Sequence, residues 1–448
     1  MGNFMEWLDR RFPATQVWND HMAKYWTPKN FNFWYYFGVL SIVILVLQIV
    51  TGIFLTMHYK PDVTLAFASV EYIMRDVPWG WLIRYLHAIG ASAFFVVIYL
   101  HMFRGLIYGS SREPRELVWL IGCVIYVALM AESFMGYLLP WGNMSYWGAQ
   151  VIISLFDVIP YVGPALSEWI RGDFVVSDAT LNRFFAFHVI AVPLILCVLV
   201  FLHIVALHKV GSLNPDGIEI KENKDKGGIP LDGIAFHPYY TVKDTVGVVV
   251  FFIIYLGVVF YWPEGGGVLL EKDNFTPANS LQTPPDIVPL WYFTPFYSIL
   301  RASTADFLVV LGSLTAIAAI ATPFIKTKRS NKIAAFVGYG VIAICLFIFD
   351  AKWWGVVMMA MAIVVMFLLP WLDKSPVKSI RYRSLPFKIA VTIFVLAFIS
   401  LGYLGMHPVS ALSTIQAQTC TVLYFAFFAL MPFYTTWGKT KPVPERLT

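Results

Sequence analysis

Ten apolar runs separated by shorter polar connections organise this chain from residue 33 onward, at about 33–57, 80–108, 117–139, 180–209, 243–262, 305–325, 333–349, 353–371, 388–406 and 414–434. At a rise of 1.5 Å per residue, runs such as Phe33 to Met57 and Leu117 to Leu139 can cross roughly 30 Å of hydrocarbon. The pattern predicts an all-α, polytopic transmembrane bundle, a four-helix core followed by further helices, with about ten spans in total. The shortest run, 333–349, is at the limit for a span. It follows 305–325 across the cationic turn Lys326, Lys328, Arg329 and Lys332, and an inserted hairpin of two crossing runs leaves the orientation of every later loop unchanged. Helices lying on the membrane surface are the alternative for this stretch.

The polar connections differ from side to side. Cations gather in alternate ones: Arg104, Arg112 and Arg115; Lys209, Lys221, Lys224 and Lys226; Lys326 to Lys332; Lys374, Lys378, Arg381 and Arg383. By the positive-inside rule these face the cytoplasm, with the amino terminus on the same side. The opposite connections, Ser145 to Asn182 and Tyr261 to Leu290, are long and rich in Pro, Gly and aromatics, which marks them as structured. The first 32 residues are mixed and charged, and the run after them is too long for a signal-peptide core, so no cleavable signal is expected.

Composition agrees: 58% of the 448 residues are hydrophobic and 13% charged, with a mean hydropathy of +0.68, which excludes an ordinary soluble domain. The net charge of +5 follows the loops and does not point to nucleic acid. Cys123, Cys197, Cys345 and Cys420 stand singly in apolar surroundings, without a Cys-x-x-Cys-His attachment site, so any haem must be held by ligation alone.

The candidate chemistry lies in the histidines. His87 and His101 are 14 residues apart on the second run, and His188 and His203 are 15 apart on the fourth. On an α-helix, 14 steps fall about 40° short of four turns and 15 overshoot by about 60°, so each pair keeps broadly to one face, roughly 21 Å apart along the axis. The second and fourth helices run parallel, which levels His87 with His188 and His101 with His203: two bis-histidine haem sites, one per leaflet. A lone membrane histidine is more often a packing residue, but four at matched depth are not. His208 is turned about 200° from His188 and is not expected to be a ligand. Gly38 and Gly52 on the first run, and Gly122 and Gly136 on the third, repeat the 14-residue spacing and would leave room for two macrocycles. Arg84 and Arg104, each three residues from a histidine, are placed to face haem propionates, snorkelling being the competing reading.

Several stretches are recognisable at this point. Arg84-Tyr85-Leu86-His87-Ala88, Gly136-Tyr137-Leu138-Leu139-Pro140-Trp141-Gly142, Arg183-Phe184-Phe185-Ala186-Phe187-His188 and His237-Pro238-Tyr239-Tyr240-Thr241 resemble cytochrome b of ubiquinol:cytochrome c oxidoreductase, respiratory complex III. The resemblance runs from about Phe33 to Arg301 and resumes near Asp350. It implies a proton-motive quinone cycle: quinol is oxidised at an outer site and one electron crosses two b-type haems, the outer of lower potential, to quinone at an inner site. It implies an outer pocket lined by Tyr137, Gly148, Tyr292 and Tyr297, and an inner one at His208, Ser212, Lys243 and Asp244. A Rieske iron-sulfur protein and a membrane-anchored c-type cytochrome would be separate partners, the assembly a homodimer, and the location a bacterial cytoplasmic membrane. The implied segmentation is 1–32 at the cytoplasmic amino terminus, 33–211 for the four-helix di-haem core, 212–302 for the inner-site loop, fifth helix and outer-site loop, 303–350 for an extra apolar hairpin and 351–448 for three carboxy-terminal helices.

The chain departs from relatives at Leu290 of Pro289-Leu290-Trp291-Tyr292, where they usually carry a glutamate that accepts a quinol proton. Asp286, the nearest carboxylate in sequence, is the first substitute to consider. The 15-residue histidine spacing matches the chloroplast-type plastoquinol complex, against which the fused carboxy-terminal half argues. A transporter whose histidines relay protons is the reading from another class.

Overall fold

The computed structural model describes residues 2–324 and 329–447; Lys326 and Lys328 of the cationic turn lie outside the described residues. Ten helices of 17 residues or more occur among the described residues. They are α1 (Tyr36–Thr56), α2 (Gly80–Tyr108), α3 (Glu116–Leu138), α4 (Asp178–Val210), α5 (Tyr239–Tyr261), α6 (Ala305–Ala321), α7 (Arg329–Ile348), α8 (Ala351–Phe367), α9 (Leu385–Gly405) and α10 (Ala411–Ala429). Seven are long and apolar enough to cross a membrane, α7 and α8 present shorter apolar stretches, and α10 is diluted by Gln416, Gln418 and several hydroxyl side chains. The chain is an all-α, multi-pass membrane protein, and its outward faces fit lipid: on α5, Val246, Val250, Ile253 and Ile254 are all exposed.

Helix starts lie at caps and not where apolarity begins. Asp350 accepts from Trp353 N at 2.7 Å, Thr304 from Phe307 N at 3.3 Å, and Ser410 and Ser413 form a capping box. Helix α5 begins at Tyr239, after Pro238 and without a side-chain cap, four residues before its apolar run, so that Lys243 and Asp244 sit within its first two turns.

Helix α4 is not uniform. A π-helical turn over Phe187–Ala191 carries His188, directly before Pro193. Proline cannot donate the regular bond, and one wide turn absorbs one extra residue. The 15-residue separation of His188 and His203 therefore acts as 14 residues of regular helix and matches His87 and His101.

Helix α1 packs on α2, α3 on α4, and α5 against both α1 and α2. A short helix, Thr294–Ala302, lies between this core and α8, α9 and α10, while α6 and α7 pack mainly on each other. One apolar core runs through both halves, with Ile44, Phe95, Tyr126, Tyr292, Ile299, Leu401 and Tyr424 essentially inaccessible.

The two ends are tied differently. At the cation-rich end, called inner below, strand β1 (Trp26–Pro28) pairs antiparallel with β2 (Gly233–Ala235). There Glu219 takes Arg115 in a bidentate pair at 2.6 and 2.8 Å and Lys378 at 2.7 Å. Asp216 takes Arg381, and Asp232 takes Lys29 and Arg446. At the outer end the turn after α3 is stitched by backbone to the loop after α5: Asn143 N donates to Thr276 O, and Ala278 N to Trp141 O. Asn274 Oδ1 accepts from Ser145 N and fills the space where a side chain on Gly142 would stand, 2.2 Å away.

Candidate functional site

Two cavities, of about 450 Å³ toward the outer end and 360 Å³ toward the inner end, lie one above the other between α1, α2, α3 and α4. His87 and His188 face each other across the outer one with ring centroids 6.1 Å apart, and His101 and His203 across the inner one at 6.4 Å. An iron bound at about 2 Å by an imidazole nitrogen on each side requires centroids about 6.3 Å apart. The residues present therefore fit a haem in each cavity. Among the described residues no cluster of three or more His, Cys, Asp or Glu could hold a metal ion directly, whereas a macrocycle brings four nitrogens of its own.

Each imidazole is seated on one glycine. A Cβ on Gly52 would lie 3.3 Å from His87, on Gly136 2.3 Å from His188, on Gly38 3.5 Å from His101 and on Gly122 3.3 Å from His203. The four glycines thus border the ligand-candidate rings, at the positions expected to leave room for macrocycles. His87 Nδ1 lies 2.9 Å from Thr51 Oγ1, and His188 Nδ1 2.9 Å from the carbonyl of Glu132, contacts that fix ring orientation. Arg84 lines the outer cavity and Arg104 the inner one; the Arg104 guanidinium rests over Tyr35 at 4.9 Å, and its Nε is buried without a partner, as an anionic group alongside would require.

Of the residues singled out for the outer site, Tyr137 and Tyr292 line the cavity, with Tyr292 stacked on Phe95 at 3.9 Å and bonded to Ser133. Gly148 lies just behind Tyr137, where a Cβ would be 3.6 Å from its ring. Tyr297 does not line the cavity; its hydroxyl donates to Ile287 O and its ring carries Arg301. Asp286 is exposed and outside the cavity lining, because the Pro284-Pro285 turn holds it at the surface. Leu290 is buried and does line it. At the inner site His208, Ser212, Lys243 and Asp244 all border the cavity.

Three residues escaped the sequence reading. His21 places its Nδ1 2.8 Å from that of His208, which also stacks on Tyr25 at 4.3 Å. Glu132 brings Oε1 within 3.0 Å of His188 Nδ1. Glu271 accepts from the Tyr137 hydroxyl at 3.1 Å. A carboxylate within the apolar run of α3 was the available signal for Glu132; nothing in the sequence joined Glu271 or His21 to its partner.

These features define a membrane electron-transfer protein of b-type haem class. The comparisons agree: the family model described as Cytochrome b/b6/petB matches residues 22–211, and Cytochrome b(C-terminal)/b6/petD matches 277–425. The chain belongs to the cytochrome b family, of the kind found in respiratory complex III. It is 55% identical to cytochrome b of Allochromatium vinosum over 448 residues, covering 99% of this chain and 98% of that one. It is 40% identical to a "Cytochrome b/c1" of Bradyrhizobium diazoefficiens, covering 99% of this chain and 56% of that protein. A solved chain of "Hyperthermophilic respiratory Complex III" superposes with a TM-score of 0.78 at 33% identity, covering 96% of this chain and 98% of that one.

Proposed function

We propose that this chain is the catalytic core of a quinol:cytochrome c oxidoreductase of the bacterial inner membrane, running a quinone cycle between its two cavities. The observation that carries the reading is the pair of imidazole couples at 6.1 and 6.4 Å, one in each half of the same four helices. Two b-type haems, bound there, would supply one-electron carriers linking the cavities. His87 and His188 hold the outer one, and His101 and His203 the inner one, with Arg84 and Arg104 as the neighbouring cations.

The protein's own groups divide the remaining work. In the outer half Tyr137 and Tyr292 orient a quinol against the cavity wall, and the apolar lining excludes water. In the inner half His208 and Asp244 stand where a reduced quinone would take up protons, with Lys243 and Ser212 beside them. The fused "Cytochrome b/c1" relative supports a c-type cytochrome as partner, and the complex III likeness supports a Rieske iron-sulfur protein. We extend the same reading to a homodimer and to division of the chain at 33–211, 212–302, 303–350 and 351–448.

The test is a reduced-minus-oxidised spectrum with redox titration of the purified complex, alongside quinol:cytochrome c turnover. Two b-type components of unequal potential and quinol-dependent reduction of cytochrome c are expected. A colourless protein, or haems that quinol cannot reduce, would overturn the proposal.

A further inference from the structure

Oxidation of a quinol releases two electrons and two protons, and a proton set free in a dry apolar cavity needs an acceptor within hydrogen-bond reach. Among the described residues lining the outer cavity, the carboxylates are Glu132 and Glu271. Glu132 directs its carbonyl and Oε1 at His188, a haem-ligand candidate, with its Oε2 buried and without a hydrogen-bond partner. Glu271 is not tied to a histidine: its Oε2 accepts from Tyr137, and its neighbour Lys272 is exposed, so the carboxylate stands between the cavity and the aqueous loop. The backbone stitching of 274–278 to 141–145 holds it there, as does the seat of Asn274 against Gly142. Leu290 lines the same cavity with a side chain that cannot take a proton.

We propose that Glu271 is the catalytic proton acceptor of the outer cavity, with Tyr137 as the group that positions its carboxylate. The proposal rests on the quinol oxidase reading above. The step balances with two one-electron oxidants: the Rieske partner would take the first electron, and an imidazole of its histidine-ligated cluster the first proton, as the first quinol O–H bond breaks and an N–H bond forms. The second O–H bond breaks as a new one forms on Glu271, the second electron being one that a haem in the outer cavity would accept, and Glu271 passes the proton on toward the exposed loop beside it. Burial lifts the Glu271 carboxyl to about 7, and the Tyr137 bond opposes that rise in part. The titratable and charged groups lining the same space are Tyr59, Arg84, His87, Glu132, Tyr137, His188, Cys197 and Tyr292, with Asp273 close behind Tyr137. An acceptor near 7 is half ionised at working pH, so the rate rises with pH through that value.

The experiment uses the intact complex with Glu271→Gln, with Glu271→Gln plus Leu290→Glu, and the unaltered protein. The single variant is expected to keep both haem spectra and the reoxidation rate of the inner haem, to lose tenfold or more in quinol:cytochrome c turnover, and to lose the rise with pH near 7. The double variant, with a carboxylate restored in the lining of the same cavity, is expected to regain part of the rate. Unchanged turnover and pH profile in Glu271→Gln would overturn the role. So would a slow single variant that Leu290→Glu cannot rescue while both haems remain, since that is the behaviour of a merely structural contact. If Glu271→Gln disturbs a haem spectrum, Glu271→Asp decides, because a retained carboxylate must retain a rising pH limb, and a flat profile overturns the proposal. Absence of quinol oxidation in the unaltered complex would instead strike the underlying reading.

Discussion

The outer and inner cavities share one plan, two facing imidazoles seated on two glycines beside one arginine, yet they are closed in opposite ways. At the outer cavity backbone bonds join two loops, and side chains of its lining bond to one another, Tyr137 to Glu271 and Tyr292 to Ser133. The inner cavity is bordered by His208, Lys243 and Asp244, under a cover of ion pairs and a two-stranded ribbon. Ionisable loop residues therefore border the inner cavity, whereas the outer one draws a single loop carboxylate, Glu271, into its lining. The difference lies in the loops, because the four helices deliver nearly the same geometry twice.

Removing the ligands breaks the comparison most completely. Replacing His87 or His188 by Leu should abolish the outer haem signal and leave the inner one, and replacing His101 or His203 the reverse, with turnover lost in all four. Redox-resolved difference spectra check this, and loss of both signals from one substitution would show that the two sites do not assemble independently.

The inner cover is the next most sensitive. Burial works against the Glu219 carboxylate, but Arg115 and Lys378 outweigh it and hold it below its ordinary value. A depressed carboxylate stabilises the fold above its unfolded value, near 4, and that contribution is lost as pH falls through the lower folded value. Glu219→Gln leaves Arg115, 3% exposed, without its partner and should cost about 3 kcal/mol at neutral pH. Thermal melts should show the gap between variant and parent closing below about pH 4.

The glycine seats sharpen the comparison further. Gly136→Ala meets the His188 ring at 2.3 Å, whereas Gly38→Ala meets His101 at 3.5 Å, ordinary contact. Overpacking of the first kind costs about 1–3 kcal/mol, and its visible effect should be weakened outer-haem retention on heating. Gly38→Ala should leave both haems in place.

The smallest effect is kinetic. His208→Asn should keep both haems and slow inner-haem reoxidation about tenfold, equivalent to about 1.4 kcal/mol. His21→Ala, which removes the partner at 2.8 Å, should give a fraction of that effect. Flash-induced or stopped-flow traces of the inner haem provide the measurement; loss of a haem signal in the His208 variant would make that residue a ligand.

The sequence by itself determined the helices and which histidines share a face, because both depend on strictly local periodicity. Apolar runs of membrane length leave the backbone only one way to satisfy its polar groups. Histidines four turns apart on one helix then share a face whatever surrounds them. Even the 15-residue spacing was legible as a local problem next to Pro193, although only the structure showed that a π turn over Phe187–Ala191 solves it. Tertiary structure alone decided which polar groups reach the cavities. Asp286 is four residues from Leu290 in sequence but is held at the surface, while Glu271, 19 residues away, is carried inward by a loop anchored on residues 141–145. His21 reaches His208 across 187 residues, through a segment secured by β1 and β2. Loop residues carry no period that fixes their direction, so their placement follows from the backbone bonds they make with distant parts of the chain.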